Sequence, residues 1–211
     1  MARPRAFHDS DILTRAMFAF WQHGYSGTQV RQLEQATGLR VSSLYNRFGS
    51  KESLFLEVLD HYLERVVRRR IQRYLESGDP VNGIRRFFDT TYEYLAEARD
   101  PFPLACLLTN TALELAADNA PVRARINAGM AEVEQGFASA LQRARDAGQL
   151  PAHTDTHACA RQLLLALQGV LVQSRLNPEA GFLRDCVDAA LAPIPFTTLT
   201  GAPDESPAYP R

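Results

Sequence analysis

Apolar residues recur along most of this chain at the three-to-four-residue spacing of helices, and no run alternates strictly as a half-buried strand would. The pattern predicts an all-α protein. A first helix is expected over 9–23, capped by Asp9 or Ser10, with Ile12, Leu13, Ala16, Met17 and Phe20 on one face and Gly24 as its stop. Thr28 is expected to cap a short second helix that turns Val30, Leu33 and Ala36 inward, and Gly38 supplies the turn into a third short helix over 41–48. Ser50 then caps a long fourth helix over 51–75, striped with Leu54, Phe55, Val58, Leu59, Tyr62 and Val66. Further helices are expected over 81–98, 103–117, 121–147, 155–175 and 178–191, punctuated by Pro101, Pro121, Gly148 with Pro151, and Pro178. The last twenty residues hold five prolines and read as a disordered tail.

Composition narrows the class. A chain of 211 residues buries one good core, or a small module and a larger one. Its longest apolar stretch, 163–172, is broken by Gln168 and Gly169 and falls short of the ~20 residues a bilayer requires. The basic N-terminus has no apolar segment behind it and is not a secretory signal, so a cytoplasmic location and no membrane partner are expected. Cys106, Cys159 and Cys186 are odd in number and lack metal-ligand spacing, which fits a reducing compartment. The net charge of −1 conceals an asymmetry. Residues 1–75 carry 12 Lys/Arg against 7 Asp/Glu and the remainder 11 against 17, so the basic part is the candidate for a polyanionic partner.

The third helix is where that partner would be met. Val41, Leu44 and Phe48 fall on its inner side, while Ser42, Ser43, Asn46 and Arg47 face outward. About two turns of helix are marginal alone and persist only when neighbours pack behind them. Two short helices joined by a Gly turn, the second presented outward, form the arrangement that enters a DNA major groove.

The stretch "GYSGTQVRQLEQATGLRVSSLYNRFGSKESLF", 24–55, resembles the TetR family of bacterial transcriptional regulators through Thr28, Leu33, Ala36, Gly38, Leu44-Tyr45, Phe48, Lys51-Glu52 and Leu54. The resemblance implies a helix-turn-helix DNA-binding module over 1–50 and a helical ligand-binding and dimerisation domain over 51–192, which leaves the Pro-rich, disordered tail over 193–211. It further implies that Thr28, Tyr45 and Lys51 contact phosphate, as suits helix N-termini and basic groups. Ser42, Ser43 and Asn46 are the expected readers of base edges, Arg40 is a candidate for guanine, and Arg3 and Arg5 for a neighbouring groove. Arg40 stands where the family usually has a Ser or Thr cap, and Ser42 where Gly is common. Either the helix start is less firmly held or Arg40 adds a DNA contact.

The larger part is expected to dimerise through the helix bearing "LLLALQGVLV", apolar nearly all round, together with its successor bearing Phe182, Leu183, Val187 and Leu191. Phe88, Tyr92, Phe102, Cys106, Leu107, Asn110 and Phe137 are candidate walls of an inducer cavity, although each also fits plain core packing. Cys106 near a helix start is either a reactive thiol, as in family members that detect electrophiles, or inert packing. His153 and His157 straddle a predicted helix start, which argues against a shared metal, and no cofactor is expected. The function anticipated is a homodimeric repressor that binds a near-palindromic double-stranded DNA operator and is released by a small-molecule inducer. The rivals are an activator and a helical-bundle enzyme, the latter weakened by the want of an acid-base pair.

Overall fold

The computed structural model describes residues 9–93, 105–115 and 117–197, all of it helix, turn and loop. The elements are α1 (Asp9–Gly27), α2 (Val30–Thr37), α3 (Val41–Phe48), α4 (Lys51–Tyr62), α5 (Pro80–Asp89), α6 (Leu107–Leu115), α7 (Ala120–Asp146), α8 (Thr156–Leu176) and α9 (Ala180–Leu191). After Tyr62 the fourth helix runs on in wider π-helical turns, Leu63–Arg68 and Ile71–Leu75. Two compact units emerge, one formed by the chain up to Val66 with Cys106–Asn127, the other by Val67–Ala105 with the chain from Ala128 onward.

In the first unit α1 and α4 pack together through Ile12, Ala16, Phe20, Leu54, Phe55, Val58 and Leu59, all essentially solvent-free. Phe20 meets Phe55 edge-on at 4.8 Å, and Trp21 meets Tyr62 edge-on at 5.1 Å. Burying each such ring contributes about 1.5–3 kcal/mol, enough to hold the shorter α2 and α3 on this base. Leu33 of α2 and Leu44 and Phe48 of α3 are buried. Gly24 breaks α1 as expected, with φ 74° and ψ 172°, a backbone that favours glycine.

In the second unit Leu75, Ile84, Phe88, Phe137, Leu141, Leu163, Leu183 and Val187 form the core. Gly83 lies so close to the preceding helix that a Cβ there would stand 2.0 Å from the Tyr74 carbonyl oxygen. Asp79 caps α5 by accepting from the Asn82 amide at 2.7 Å, Asp155 caps α8 through His157 and Ala158, and Glu179 caps α9 through Gly181 and Phe182.

Several expectations shift. The apolar stripe of the fourth helix does not continue to Val66: burial passes to Leu63, Val67 and Ile71, because each π-helical turn adds a residue and rotates the side chains beyond it. The fifth helix ends at Asp89 rather than continuing, since Thr90 and Thr91 turn their hydroxyls back onto the Phe87 and Phe88 carbonyls; residues 94–98 lie outside the described residues. α6 starts at Leu107, after Ala105 at φ 64°, and not at 103. The beginning of the Pro-rich segment is packed: Ile194 is buried, and the Thr197 amide donates to the Gln149 carbonyl at 2.9 Å. Residues 198–211 lie outside the described residues, as do Arg3 and Arg5.

Candidate nucleic-acid interface

The joint between α2 and α3 is built by three local devices. Gly38 takes the left-handed conformation, φ 73° and ψ 10°, and its amide closes α2 onto the Glu34 carbonyl at 2.9 Å. Glu34 then reaches forward, and its carboxylate accepts from the Val41 amide at 2.8 Å. Arg40 occupies the N-cap of α3 without a capping hydrogen bond from its side chain. Glu34 does that work, so the helix start is held while Arg40 stays exposed. Sequence reasoning missed Glu34, which stands seven residues from the amide it serves and leaves no periodic signal.

The outward face of α3 is as expected: Ser42, Ser43, Asn46 and Arg47 are exposed, while Leu44 and Phe48 are buried. Arg47 pairs with Asp9, which ties this face to the start of α1. Tyr45 is half-buried on the flank. Ser50 caps α4 by accepting from the Ser53 amide at 3.0 Å. Next to it, the Lys51 ammonium lies 4.5 Å from the Tyr25 ring centroid. Burial lowers the Lys51 pKa, with the Glu114 carboxylate opposing that shift.

Thr28 requires a correction. It is solvent-free, and its hydroxyl donates to the Gly24 carbonyl, so it pins the α1–α2 turn and is not presented to phosphate. Gln29 is the N-cap of α2, its amide bonded to the Gln32 side chain at 2.6 Å. Thr28 lies one helical turn past the Gly24 break, where a buried hydroxyl needs a nearby acceptor; the Gly24 carbonyl, which also accepts from the Thr28 amide at 3.2 Å, supplies one.

The expected inducer residues divide between the two units. In the second, Phe88 and Phe137 are fully buried and stack at 5.8 Å, and Phe87 meets Phe137 edge-on at 5.2 Å. Tyr92 is buried and donates its hydroxyl to Asp89 at 2.8 Å; burial and this carboxylate push its pKa far up. All three serve as core in this state. A groove of about 650 Å³ also lies in this unit, along Arg68, Ile71, Gln72, Gln135 and Ser139, residues the sequence reading did not single out. In the first unit Cys106 precedes α6, half-buried, and its sulfur accepts from the Tyr62 hydroxyl at 3.2 Å, while Leu107 is buried and Asn110 half-buried. Phe102 lies outside the described residues. The "HTDTHAC" segment is organised by Asp155 as a helix cap, and burial pushes the Cys159 thiol up.

Two short helices on an aromatic base, the second exposing hydroxyl, amide and guanidinium groups beside a lysine at the next helix start, define a helix-turn-helix protein of the DNA-binding type. Comparison with known proteins gives the same class. The description "Bacterial regulatory proteins, tetR family" matches residues 12–58, and "Tetracyclin repressor-like, C-terminal domain" matches residues 80–189. The HTH-type transcriptional repressor ComR of Escherichia coli (strain K12) is 29% identical over 174 residues, 82% of each chain. The uncharacterized HTH-type transcriptional regulator YezE of Bacillus subtilis (strain 168) is 29% identical over 194 residues, 91% of this chain and 98% of its own. A solved structure of a cysteine mutant of the TetR family transcriptional regulator CifR, complexed with 26-bp double-strand operator DNA, is 34% identical over 90% of this chain and 98% of that one, with a TM-score of 0.77. The chain therefore belongs to the TetR family of transcriptional regulators. Among the described residues no helix is long and apolar enough to cross a membrane.

Proposed function

We propose that this regulator is a cytoplasmic, homodimeric repressor with no catalytic role, which binds a near-palindromic operator and is released by a small-molecule inducer. The observation that carries the reading is the outer face of α3, where Arg40, Ser42, Ser43 and Asn46 stand exposed on a helix whose other side is buried. Ser42, Ser43 and Asn46 read base edges, Arg40 reads guanine or phosphate, and Tyr45 and Lys51 hold the flanking backbone. The complex of the related CifR with operator DNA supports the same use of the fold.

The second subunit is called for by α8. It buries Leu163, Leu167, Val170 and Leu171 yet leaves Leu165 72% and Leu176 74% exposed, apolar area that a partner copy would cover. Functionally, residues 1–50 form the DNA-reading module and 51–192 the ligand and dimer domain. Two α3 helices would then enter successive major grooves about 34–36 Å apart, and inducer would act by moving α4 so that this spacing is lost.

Footprinting of the purified protein on DNA around its own gene tests the reading. Two protected half-sites about one turn apart are expected, with affinity falling steeply as salt rises. A monomer that protects no fragment at low ionic strength defeats it. A reporter gene behind the protected site separates repression from activation.

A second reading concerns the inducer's chemistry. The Tyr62 hydroxyl donates to the sulfur of the half-buried Cys106, which fixes the thiol against the end of α4, so an electrophile captured at Cys106 is a route to release. Alkylation of the native protein checks this: Cys106 is expected to react faster than cysteine in a model peptide, and equal rates end the idea.

A further inference from the structure

Gly24 breaks α1 and leaves the amides of Tyr25 and Ser26 without the acceptors of a regular helix. Neither is orphaned. Glu114, near the end of α6, offers one carboxylate oxygen to each: Oε2 accepts from the Tyr25 amide at 2.9 Å and Oε1 from the Ser26 amide at 2.6 Å. The fit is close, since a Cβ on Gly24 would stand 2.9 Å from Oε2. Burial pushes the Glu114 carboxyl up, but the Ser26 and Tyr25 hydrogen bonds and Lys51 outweigh it and keep the group ionised.

What the carboxylate holds is the root of the DNA-reading surface. Tyr25 packs its ring 4.9 Å from Phe55 and 6.1 Å from Phe20, and the Lys51 ammonium rests over the same ring, 4.5 Å from its centroid. Ser26 lies two residues before Thr28, whose buried hydroxyl pins the turn into α2. The chain leaving α6 is tied to α4 at two more places: Asn119 donates to Glu52 at 2.8 Å, and Arg125 pairs with Asp60 at 2.9 Å. α6 itself starts just after Ala105, where the chain passes from the second unit into the first with φ 64°. Asn110, expected to meet inducer, stands one helical turn before Glu114.

We propose that Glu114 is a positioning residue for operator binding: a carboxylate clasp from α6 that fixes the Tyr25–Ser26 break, and through it Lys51 and the start of α2. The proposal rests on the repressor reading and adds to it a second route, through α6, besides the movement of α4. With the clasp closed, Lys51 and α2 sit where the phosphate backbone passes. A displacement of α6 opens the clasp and frees the turn, with α3 still folded.

The test compares wild type, Glu114→Gln, Glu114→Ala and, as a control on the same helix, the exposed Leu113→Ser. Folding is checked by thermal melting and by fluorescence of Trp21, the chain's single tryptophan. Amide exchange at Tyr25 and Ser26 is followed by NMR, and binding is measured on the footprinted operator across a salt series. Exchange in Glu114→Ala is expected to accelerate at least about tenfold at those two amides, and operator affinity to fall at least about tenfold, with Glu114→Gln between it and wild type. Lys51→Ala is expected to cost less in the Glu114→Ala background than in wild type, a coupling that a merely structural role would not produce. Leu113→Ser leaves all of these unchanged. Unaltered affinity in a folded Glu114→Ala protein overturns the proposal. So does increased affinity, which would mean that the carboxylate competes with phosphate. Failure of wild type to bind any operator defeats the repressor reading and this proposal together, whereas normal wild-type binding with unaltered variants defeats the proposal alone.

Discussion

The two units hold their helix ends in different ways. In the second, α5, α8 and α9 are capped by residues immediately before them, Asp79, Asp155 and Glu179, each bonded to amides two or three positions on. In the first, α2 and α4 have local caps as well, Gln29 with Gln32 and Ser50, but two places borrow a carboxylate from another helix: α3 takes Glu34 of α2, and the Gly24 break takes Glu114 of α6. A local cap fixes one helix whatever its neighbours do. A borrowed cap fixes the relation between two helices, so the geometry of the reading surface depends on the packing around it.

The largest way to break the comparison is at Glu34. Glu34→Ala removes the acceptor from the first amide of α3 and is expected to cost about 1 kcal/mol of stability, with a loss of operator affinity of about tenfold or more because the reading helix is misdirected. Glu34→Gln, which keeps an oxygen in place, should recover part of both. Thermal melts and operator titrations on the same preparations check this; a stability loss with full affinity would mean that α3 is aimed by its core contacts alone. Asp79→Ala is the matching experiment in the second unit. It should cost a similar ~1 kcal/mol and leave affinity unchanged wherever the protein is folded.

Much of this contrast comes from the range over which a signal acts. The local cap Ser50, the Gly24 and Gly38 breaks, and the inward side of α3 were legible because each depends on neighbours within about a turn of helix. Glu34 and Glu114 were not, since residues 7 and 89 positions from the amides they serve leave no periodic trace. The start of α2 was read one residue early, at Thr28 where Gln29 is the cap, and the Thr28 side chain faced inward, because the pattern fixes roughly where a turn falls and not which carbonyl a buried hydroxyl finds. Phe88 and Phe137 show the same limit: two large apolar residues read alike as cavity wall or core, and their stacking against each other decides for core in this state. The π-helical turns after Tyr62 leave no composition signal, and they moved burial from Val66 to Val67.

A smaller effect at the Glu114 clasp depends on pH. The folded-state pKa of Glu114 lies below its ordinary 4.5, so the folded protein binds that proton less readily than the unfolded chain. Its contribution is therefore complete above the ordinary value and fades as pH falls through the folded one. The melting temperature of Glu114→Gln should lie below that of wild type near neutrality, and the gap should narrow as pH drops below the ordinary 4.5. A gap that is constant with pH would show that charge plays no part in the clasp.

The smallest effect concerns Arg40, and it sharpens the contrast because this residue occupies the cap position of α3 without capping it. If Glu34 holds the helix start, Arg40→Ala should change stability by less than about 0.5 kcal/mol, as at an ordinary surface site. Its guanidinium would be felt only on DNA. Loss of one phosphate contact lowers the salt slope of binding by about one and weakens all sequences evenly, whereas loss of a guanine contact relaxes selectivity at one base pair by about 1–3 kcal/mol. Operator titrations at several salt concentrations, repeated with single base-pair changes in each half-site, distinguish the two. A marked loss of stability with neither change on DNA would place Arg40 back in the cap and make Glu34 secondary.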